Sequence, residues 1–318
     1  MGFEAVTLEI TRKCNHSCIF CYNPEVDNDV DVSFEQIDFV VKKISDYGIQ
    51  RVTVSGGEPF LLKKQTEHLI QRLCEEKLDI CLNTNLTLID SGTAGYLEKM
   101  IGHDNIVYSS IPSVKEDTCD RITRVPGSYQ NVVRGIDVLK SHNMKIGLNM
   151  TVSPVNVNDL GLVSDFLSQN AVDSFTLFPV IPPIYDRNNI IHSNDMDTLK
   201  MVADTLVEIH DVFGITVGSI RPLPLCVIGG DNKYGIIKGG RCSTGIKRFA
   251  IEMGSGNMVA CSQENKIYGN VYSDSIEECY EKMKDWRNSK YIATACRGCD
   301  KMEKCGGMCL WSNPCGRC

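Results

Sequence analysis

The sequence predicts an α/β fold. Six strand–helix units form a partial, open (β/α)6 barrel or a doubly wound sheet over residues 1–215, and a cysteine-rich region follows over 216–318. Three observations carry this reading. Short β-branched, apolar runs alternate six times with stretches of helical periodicity, and strands of that buried type in that rhythm demand a parallel sheet with its helices outside. Six units fall short of a closed eight-fold barrel. Past residue 216 the rhythm stops, Gly and Pro become frequent, and ten of the sixteen cysteines follow.

Taken in order, "AVTLEI" is a strand that runs straight into the loop "CNHSCIFC". "SFEQIDFVVKKISDYG" is a helix opened by a Ser33/Gln36 capping box and stopped by Gly48. "RVTVS" is the second strand and ends in Gly56-Gly57-Glu58-Pro59. The helix "KKQTEHLIQRLCEEK" leads to strand "DICLNTN", and "SGTAGYLEKMIG" leads to "NIVYSSI". "SYQNVVRGIDVLKSHN" precedes "KIGLNMTV", "VNDLGLVSDFLSQN" precedes "DSFTLFPVI", and a last helix covers about residues 195–213. In such sheets the chemistry gathers where the strands end at their C-terminal side. The first cysteine loop, the Gly-Gly turn and "NTN" (83–85) all follow strand ends and share that rim.

The totals narrow the classes. A chain of 318 residues that is 42% hydrophobic supports one large domain plus a small one. No apolar run approaches the roughly 18 residues of a membrane span, and the opening residues lack a signal peptide's charged and apolar regions. The net charge of −7, with no Lys/Arg block, argues against a nucleic-acid partner. A cytoplasmic location is expected. Clustered cysteines in a reducing compartment favour metal ligation over disulfides.

Cys14, Cys18 and Cys21 form C-x3-C-x2-C. Three thiolates on a short loop can hold three irons of a [4Fe–4S] cube and leave the fourth open, which suits a cofactor or substrate that must bind metal directly. Part of a zinc knuckle is the alternative. One unit later, "SGGEPF" offers glycines that let backbone approach a ligand closely, although Gly-Gly before Pro is also an ordinary turn.

With both motifs in place the chain resembles the radical S-adenosylmethionine (SAM) superfamily. That family's motif is C-x3-C-x-aromatic-C, and Phe20 fills the aromatic position. The resemblance implies that the open iron takes the amino and carboxylate groups of SAM. It places Gly56, Gly57, Glu58 and Pro59 against the methionine ammonium. It extends to Asn85, to Ser110 in "SSIPS", to Asn149, and to Arg124 in "DRITRVPGSYQNVV", each of which reads equally as a cap or a surface polar residue. The usual Gly after the Thr-Asn pair is Leu86 here, and an Asp often found after the strand-four Ser is Pro112.

Near the C-terminus, Cys296, Cys299, Cys305 and Cys309 form C-x2-C-x5-C-x3-C, and Cys242 is followed by Gly256 and Cys261. A zinc ribbon is one reading. The set also resembles the SPASM extension of radical enzymes, which implies two auxiliary [4Fe–4S] clusters. Cys242, Cys261 and Cys309 belong to the first, and Cys296, Cys299 and Cys305 to the second, with Cys315 or Cys318 completing it. Cys226 either completes the first cluster or stays free as a hydrogen-atom donor. Cys74, Cys81 and Cys279 read as core thiols, and Cys119 as a surface one.

The resemblance implies that one electron from a flavodoxin- or ferredoxin-type reductant cleaves SAM to methionine and a 5′-deoxyadenosyl radical. That radical abstracts hydrogen from a peptide or protein, and the outcome is a crosslink, thioether, epimerised residue or oxidised side chain. The first strand begins within the first few residues, so a separate leader-binding protein is the expected route to a peptide. An epimerase or oxidoreductase of carbohydrates or other small molecules is the enzyme alternative. A non-catalytic iron–sulfur electron carrier is the alternative from another class.

Overall fold

The computed structural model describes residues 2–23, 30–180, 196–229, 232–238, 241–288, 290–307 and 309–310. Its centre is a ten-stranded sheet in the order β10-β9-β8-β1-β2-β3-β4-β5-β6-β7. β1 (Ala5–Glu9), β2 (Arg51–Ser55), β3 (Asp79–Asn83), β4 (Ile106–Ser110), β5 (Lys145–Val152) and β6 (Ser174–Pro179) are the six expected strands. Each pairs parallel with the next. The sheet is open, because β7 (Thr216–Gly218) lies beyond β6, while β8 (Arg248–Glu252), β9 (Asn257–Val259) and β10 (Ile267–Asn270) extend the other edge beyond β1.

The crossovers are α1 (Phe34–Tyr47), α2 (Lys63–Glu75), α3 (Ser91–Ile101), α4 (Glu116–Thr123), α5 (Ser128–Ser141), α6 (Val163–Asn170) and α7 (Met196–Phe213). α1 shows why these segments are helical. Ser33 accepts the Gln36 N–H, Gln36 returns a bond to the Ser33 N–H, and Gly48 ends the helix at φ 94°. Between those caps Ile37, Val40, Val41 and Ile44 are buried at helical spacing. α4 was not legible as a helix. It carries a short polar sequence, and only Thr118, Cys119, Ile122 and Thr123 turn inward. Among the described residues no helix is long and apolar enough to cross a membrane.

The sheet crosses residue 216 without a break. β8 pairs parallel with β1 from Ala5↔Arg248 to Glu9↔Glu252, and β9 and β10 then add antiparallel. Among the described residues four short helices, α8 (Leu225–Ile228), α9 (Ile276–Lys282), α10 (Lys284–Arg287) and α11 (Met302–Cys305), belong to this region. Its apolar side chains join the main core rather than forming their own. Phe249 stacks on Phe3 at 4.3 Å, and Phe249, Ile251, Met253, Met283 and Trp286 are buried in the same cluster as Val6 and Leu8. A fully buried side chain of this size contributes about 1.5–3 kcal/mol, so docking supplies much of the stability that a cysteine-rich segment of weak periodicity lacks alone.

Candidate active site

The rim is assembled by three loops that cross at very short range. Past the end of β1, Ile10 N–H still reaches the Ser55 carbonyl at 3.0 Å. The chain then runs beneath the Gly56-Gly57 turn, where Gly57 N–H donates to Thr11 O at 2.7 Å and Glu58 N–H to Lys13 O at 2.9 Å. A Cβ on Gly57 would lie 2.1 Å from the Lys13 carbonyl oxygen, and one on Gly56, at φ +151°, 2.4 Å from that of Thr11. Only glycine allows this crossing.

Glu58 is fully buried. Its Oε1 accepts from Phe60 N–H at 3.0 Å and from the Thr84 hydroxyl at 2.7 Å, and its Oε2 accepts from Asn85 N–H at 2.7 Å. Burial pushes its carboxyl above the ordinary 4.5, against the pull of those donors. Pro59, also buried, opens the turn Pro59–Leu62 that leads to α2. The Asn85 amide donates to Asn15 Oδ1 at 2.7 Å and approaches the Cys14 sulfur at 3.9 Å, and Asn15 in turn reaches the Thr87 hydroxyl at 2.8 Å. The cysteine loop, the Gly-Gly turn and the loop after β3 are therefore one hydrogen-bonded unit.

α4 holds the loop from the other side. Ser17 N–H donates to Thr123 O and Ile19 N–H to Ile122 O, both at 3.0 Å. Cys14 is exposed as a residue, yet the protein packed about its sulfur pushes the thiol up to about 11. Cys18 is raised further by burial and by the neighbouring charges of Cys21, Cys14 and Cys119, and Cys21 is raised chiefly by burial. The Cys21 sulfur also meets Asn23 N–H at 3.4 Å. Phe20 is half-buried beside it.

Further round the rim, the Ser110 hydroxyl bonds Asn149 Oδ1 at 2.9 Å, tying β4 to β5. Arg124 stands exposed at the left-handed end of α4. The Gly127-Ser128-Tyr129 segment is bound by Asp120, whose carboxylate accepts Gly127 N–H at 2.5 Å, Ser128 Oγ–H at 2.9 Å and Tyr129 N–H at 3.0 Å. Cys119, expected at the surface, is fully buried and lies 3.7 Å from the Ser128 hydroxyl, because α4 turns it inward. Cys279 is buried as expected, and Cys74 and Cys81 are half-buried.

Cys242, Cys261 and Cys309 come from three separate segments, and they sit close enough that the charge of Cys309 raises both Cys242 and Cys261 and that of Cys242 adds to Cys261. Burial is the larger influence, and it takes Cys261 up to about 12. Cys296, Cys299 and Cys305 share a turn-rich segment in which Cys299 N–H donates to Cys296 O at 3.2 Å. Gly306, at φ 72°, lets that segment pass Arg241, whose Cγ would lie 2.5 Å from a Cβ there. Cys226 is exposed on α8. Cys315 and Cys318 lie outside the described residues. All fourteen described cysteines are free thiols, and among the described residues no three His, Cys, Asp or Glu side chains converge on a single ion. A cube held at its corners sets each thiolate on its own iron, a wider arrangement than ligands sharing one ion.

Sequence reasoning missed Glu9. This buried carboxylate accepts the Tyr22 hydroxyl at 3.2 Å and also bonds Ser262, so it joins the residue after Cys21 to the residue after Cys261. Burial raises its pKa from the ordinary 4.5, and Glu252 adds to the rise. A charged residue in the otherwise apolar "AVTLEI" was the available signal.

Residues 8–167 match the family model described as the Radical SAM superfamily. The chain belongs to that superfamily. Among solved structures, the radical SAM fold seen here is shared with anSMEcpe with bound AdoMet, at a TM-score of 0.74 and 18% identity over 96% of this chain and 88% of that one. Streptococcus suis SuiB bound to S-adenosylmethionine superposes with a TM-score of 0.75 at 15% identity, over 97% of this chain and 73% of that one. Both have also been solved with peptide, anSMEcpe with a Cp18Cys peptide and SuiB with its precursor peptide SuiA. Curated relatives include the Fe-coproporphyrin III synthase of Methanosarcina barkeri, 26% identical over 64% of this chain and 50% of that protein. A GTP 3',8-cyclase of Clostridium perfringens is 30% identical over 47% of this chain and 46% of that protein. The chain spans about half the length of the curated relatives it matches.

Membership implies a [4Fe–4S] cluster and SAM, and the cysteine loop fits the cluster. Three thiols raised chiefly by burial ionise only if a cation compensates them, which is what iron provides. The His16 Nε2 is buried in the same loop without a hydrogen-bond partner among the described residues, so the loop retains an unused polar atom.

Proposed function

We propose that this radical SAM enzyme abstracts hydrogen from a peptide or small protein, with two auxiliary clusters in the region after residue 216. The gathering of Cys242, Cys261 and Cys309 carries this reading, because a barrel that only cleaves SAM needs no second nest of buried thiols. The likeness to anSMEcpe and SuiB, both solved with peptides, supports the substrate class.

Cys14, Cys18 and Cys21 would hold the first cluster. When bound, the group supplies one-electron cleavage of SAM and, through it, hydrogen-atom abstraction from an unactivated carbon. The chain's own residues bind and orient. The Gly56-Gly57 backbone, Asn85, Ser110 and Arg124 line the ligand side, flanked by Phe20 and Pro59. Glu58 holds its loop and that of Asn85 in register through its three bonds. Cys226 would join Cys242, Cys261 and Cys309, while Cys296, Cys299 and Cys305 with one tail cysteine would hold the other cluster. A ferredoxin- or flavodoxin-type donor would supply electrons. A small-molecule substrate is the second reading, favoured by the identity to a GTP cyclase and a porphyrin-type synthase.

Anaerobically reconstituted protein tests both. About twelve irons per chain are expected, falling to about eight in the Cys14→Ala/Cys18→Ala/Cys21→Ala variant. With SAM and dithionite, Cys- and Ser-containing peptides should change mass as 5′-deoxyadenosine accumulates. About four irons falling to none, zinc in the C-terminal region, and turnover of GTP rather than peptide would overturn the proposal.

A further inference from the structure

Asn23 lies two residues beyond Cys21, and its backbone N–H meets the Cys21 sulfur at 3.4 Å. The Asn23 side chain is buried and is gripped at both ends by one residue. Its Oδ1 accepts Arg12 Nε–H at 2.8 Å, and its Nδ2 donates to the Arg12 carbonyl at 3.0 Å. Arg12 is held in turn from the far end of the chain. Its Nη1 donates to Glu252 Oε1 at 3.3 Å, a partner 240 residues away in sequence. Glu252 is itself fixed at the end of β8, in register with Glu9, and Met253 N–H donates to Glu9 O at 2.9 Å. The Glu252 Oε2 accepts the Asn257 amide at 2.9 Å and the Ser255 hydroxyl at 3.0 Å. The contacts run unbroken from the β8–β9 turn to a thiol of the first cysteine loop.

We propose that Glu252, acting through Arg12 and Asn23, aims the Asn23 N–H at the Cys21 sulfur and so raises the reduction potential of the cluster in the first cysteine loop. The inference rests on reading Cys14, Cys18 and Cys21 as cluster ligands, and it needs neither auxiliary clusters nor a peptide substrate. Hydrogen bonds to its sulfurs, with net charge and solvent exposure, set a cluster's potential. An added electron puts more negative charge on the thiolate sulfurs, so an N–H aimed at one of them favours the reduced form. Residue 23 has a backbone N–H whatever its side chain, but the two bonds to Arg12 fix where that N–H points. Arg12 and Glu252 are therefore positioning residues. The region after residue 216 acts on the first cluster by geometry, whatever its own cysteines hold.

The test is an EPR-monitored redox titration of the full chain, reconstituted anaerobically. The signal followed is the one that the Cys14→Ala/Cys18→Ala/Cys21→Ala variant lacks. Asn23→Ala changes no charge, and it should lower that midpoint at least threefold in the reduction equilibrium, about 28 mV for a one-electron couple. A residue that only braced the fold would change iron content or stability and leave the midpoint alone. Glu252→Ala should lower the midpoint as well, although loss of a negative charge acting through space would raise it. A rise in Glu252→Ala would overturn the proposal, as would an unchanged midpoint with full iron in Asn23→Ala. If Asn23→Ala loses about four irons, Glu252→Ala decides by the same sign. A parent chain with no signal that depends on Cys14, Cys18 and Cys21 would remove the cluster itself, and this inference with it.

Discussion

The Glu58 carboxylate accepts the backbone N–H of Asn85 at 2.7 Å, across the gap between the loops that follow β2 and β3. Two further donors, Phe60 N–H and the Thr84 hydroxyl, occupy its other oxygen. A glutamine has one acceptor oxygen and an NH2 group, so in Glu58→Gln one buried donor must face another donor. An unpaired buried donor costs about 1–3 kcal/mol. Urea unfolding of the apo chain should show an unfolding free energy lowered by about that amount, and matching free energies would mean the three donors find other partners.

The crossing at Gly57 makes a sharper prediction. Gly57→Ala puts a methyl group 2.1 Å from Lys13 O and 2.6 Å from Arg12 O, both backbone atoms that cannot rotate aside. Overpacking of this kind costs about 1–3 kcal/mol, and here the strain falls on the segment leading into Cys14. Iron bound after reconstitution should fall by about four per chain in Gly57→Ala. Gly161→Ala, with nothing within 4 Å of the new methyl, should retain full iron. Equal iron in the two variants would refute the steric account.

The barrel strands and the cysteine loop were legible because each rests on local pattern. β2 places Val52, Thr53 and Val54 inside, and the C-x3-C-x2-C spacing needs no tertiary information. What could not be read depends on contacts distant in sequence. β8 is five residues long and shows no alternation, since Phe249, Ala250 and Ile251 are all buried beside β1. α4 is too polar for periodicity to reveal, yet its last carbonyls hold the cysteine loop. Glu58 was legible as a motif residue, but its three internal donors come from two loops and appear only in three dimensions.

Glu9 gives a pH signature of defined sign. Burial and the nearby Glu252 raise its folded pKa above the ordinary 4.5. The unfolded carboxyl therefore ionises first, so the contribution of Glu9 to stability is complete below about 4.5 and is lost as pH rises through the folded pKa. Glu9→Gln removes that dependence, and the Tyr22 and Ser262 hydroxyls can rotate to bond the amide oxygen. Unfolding free energies of the apo chain from pH 4.5 to 8 should fall less steeply in Glu9→Gln than in the parent. A steeper fall in the variant would contradict the assignment.

Asp120 carries the opposite sign. Burial alone would raise it, but the backbone N–H groups of Tyr129, Gly127 and Ser128 and the Ser128 hydroxyl outweigh burial and hold it below the ordinary 3.8. Its contribution is thus present above that pH and lost as pH falls through the folded pKa. The carboxylate caps the start of α5, and loss of such a cap costs about 0.5–2 kcal/mol. Asp120 also lies on α4, whose Ile122 and Thr123 carbonyls hold Ile19 and Ser17. Asp120→Ala should therefore lower both the urea midpoint and the iron retained by the first cysteine loop. Asp120→Asn, which keeps one acceptor oxygen, should fall between Asp120→Ala and the parent on both measures. A variant that loses stability while keeping its full iron would show that α5 can loosen without releasing the end of α4 from the loop.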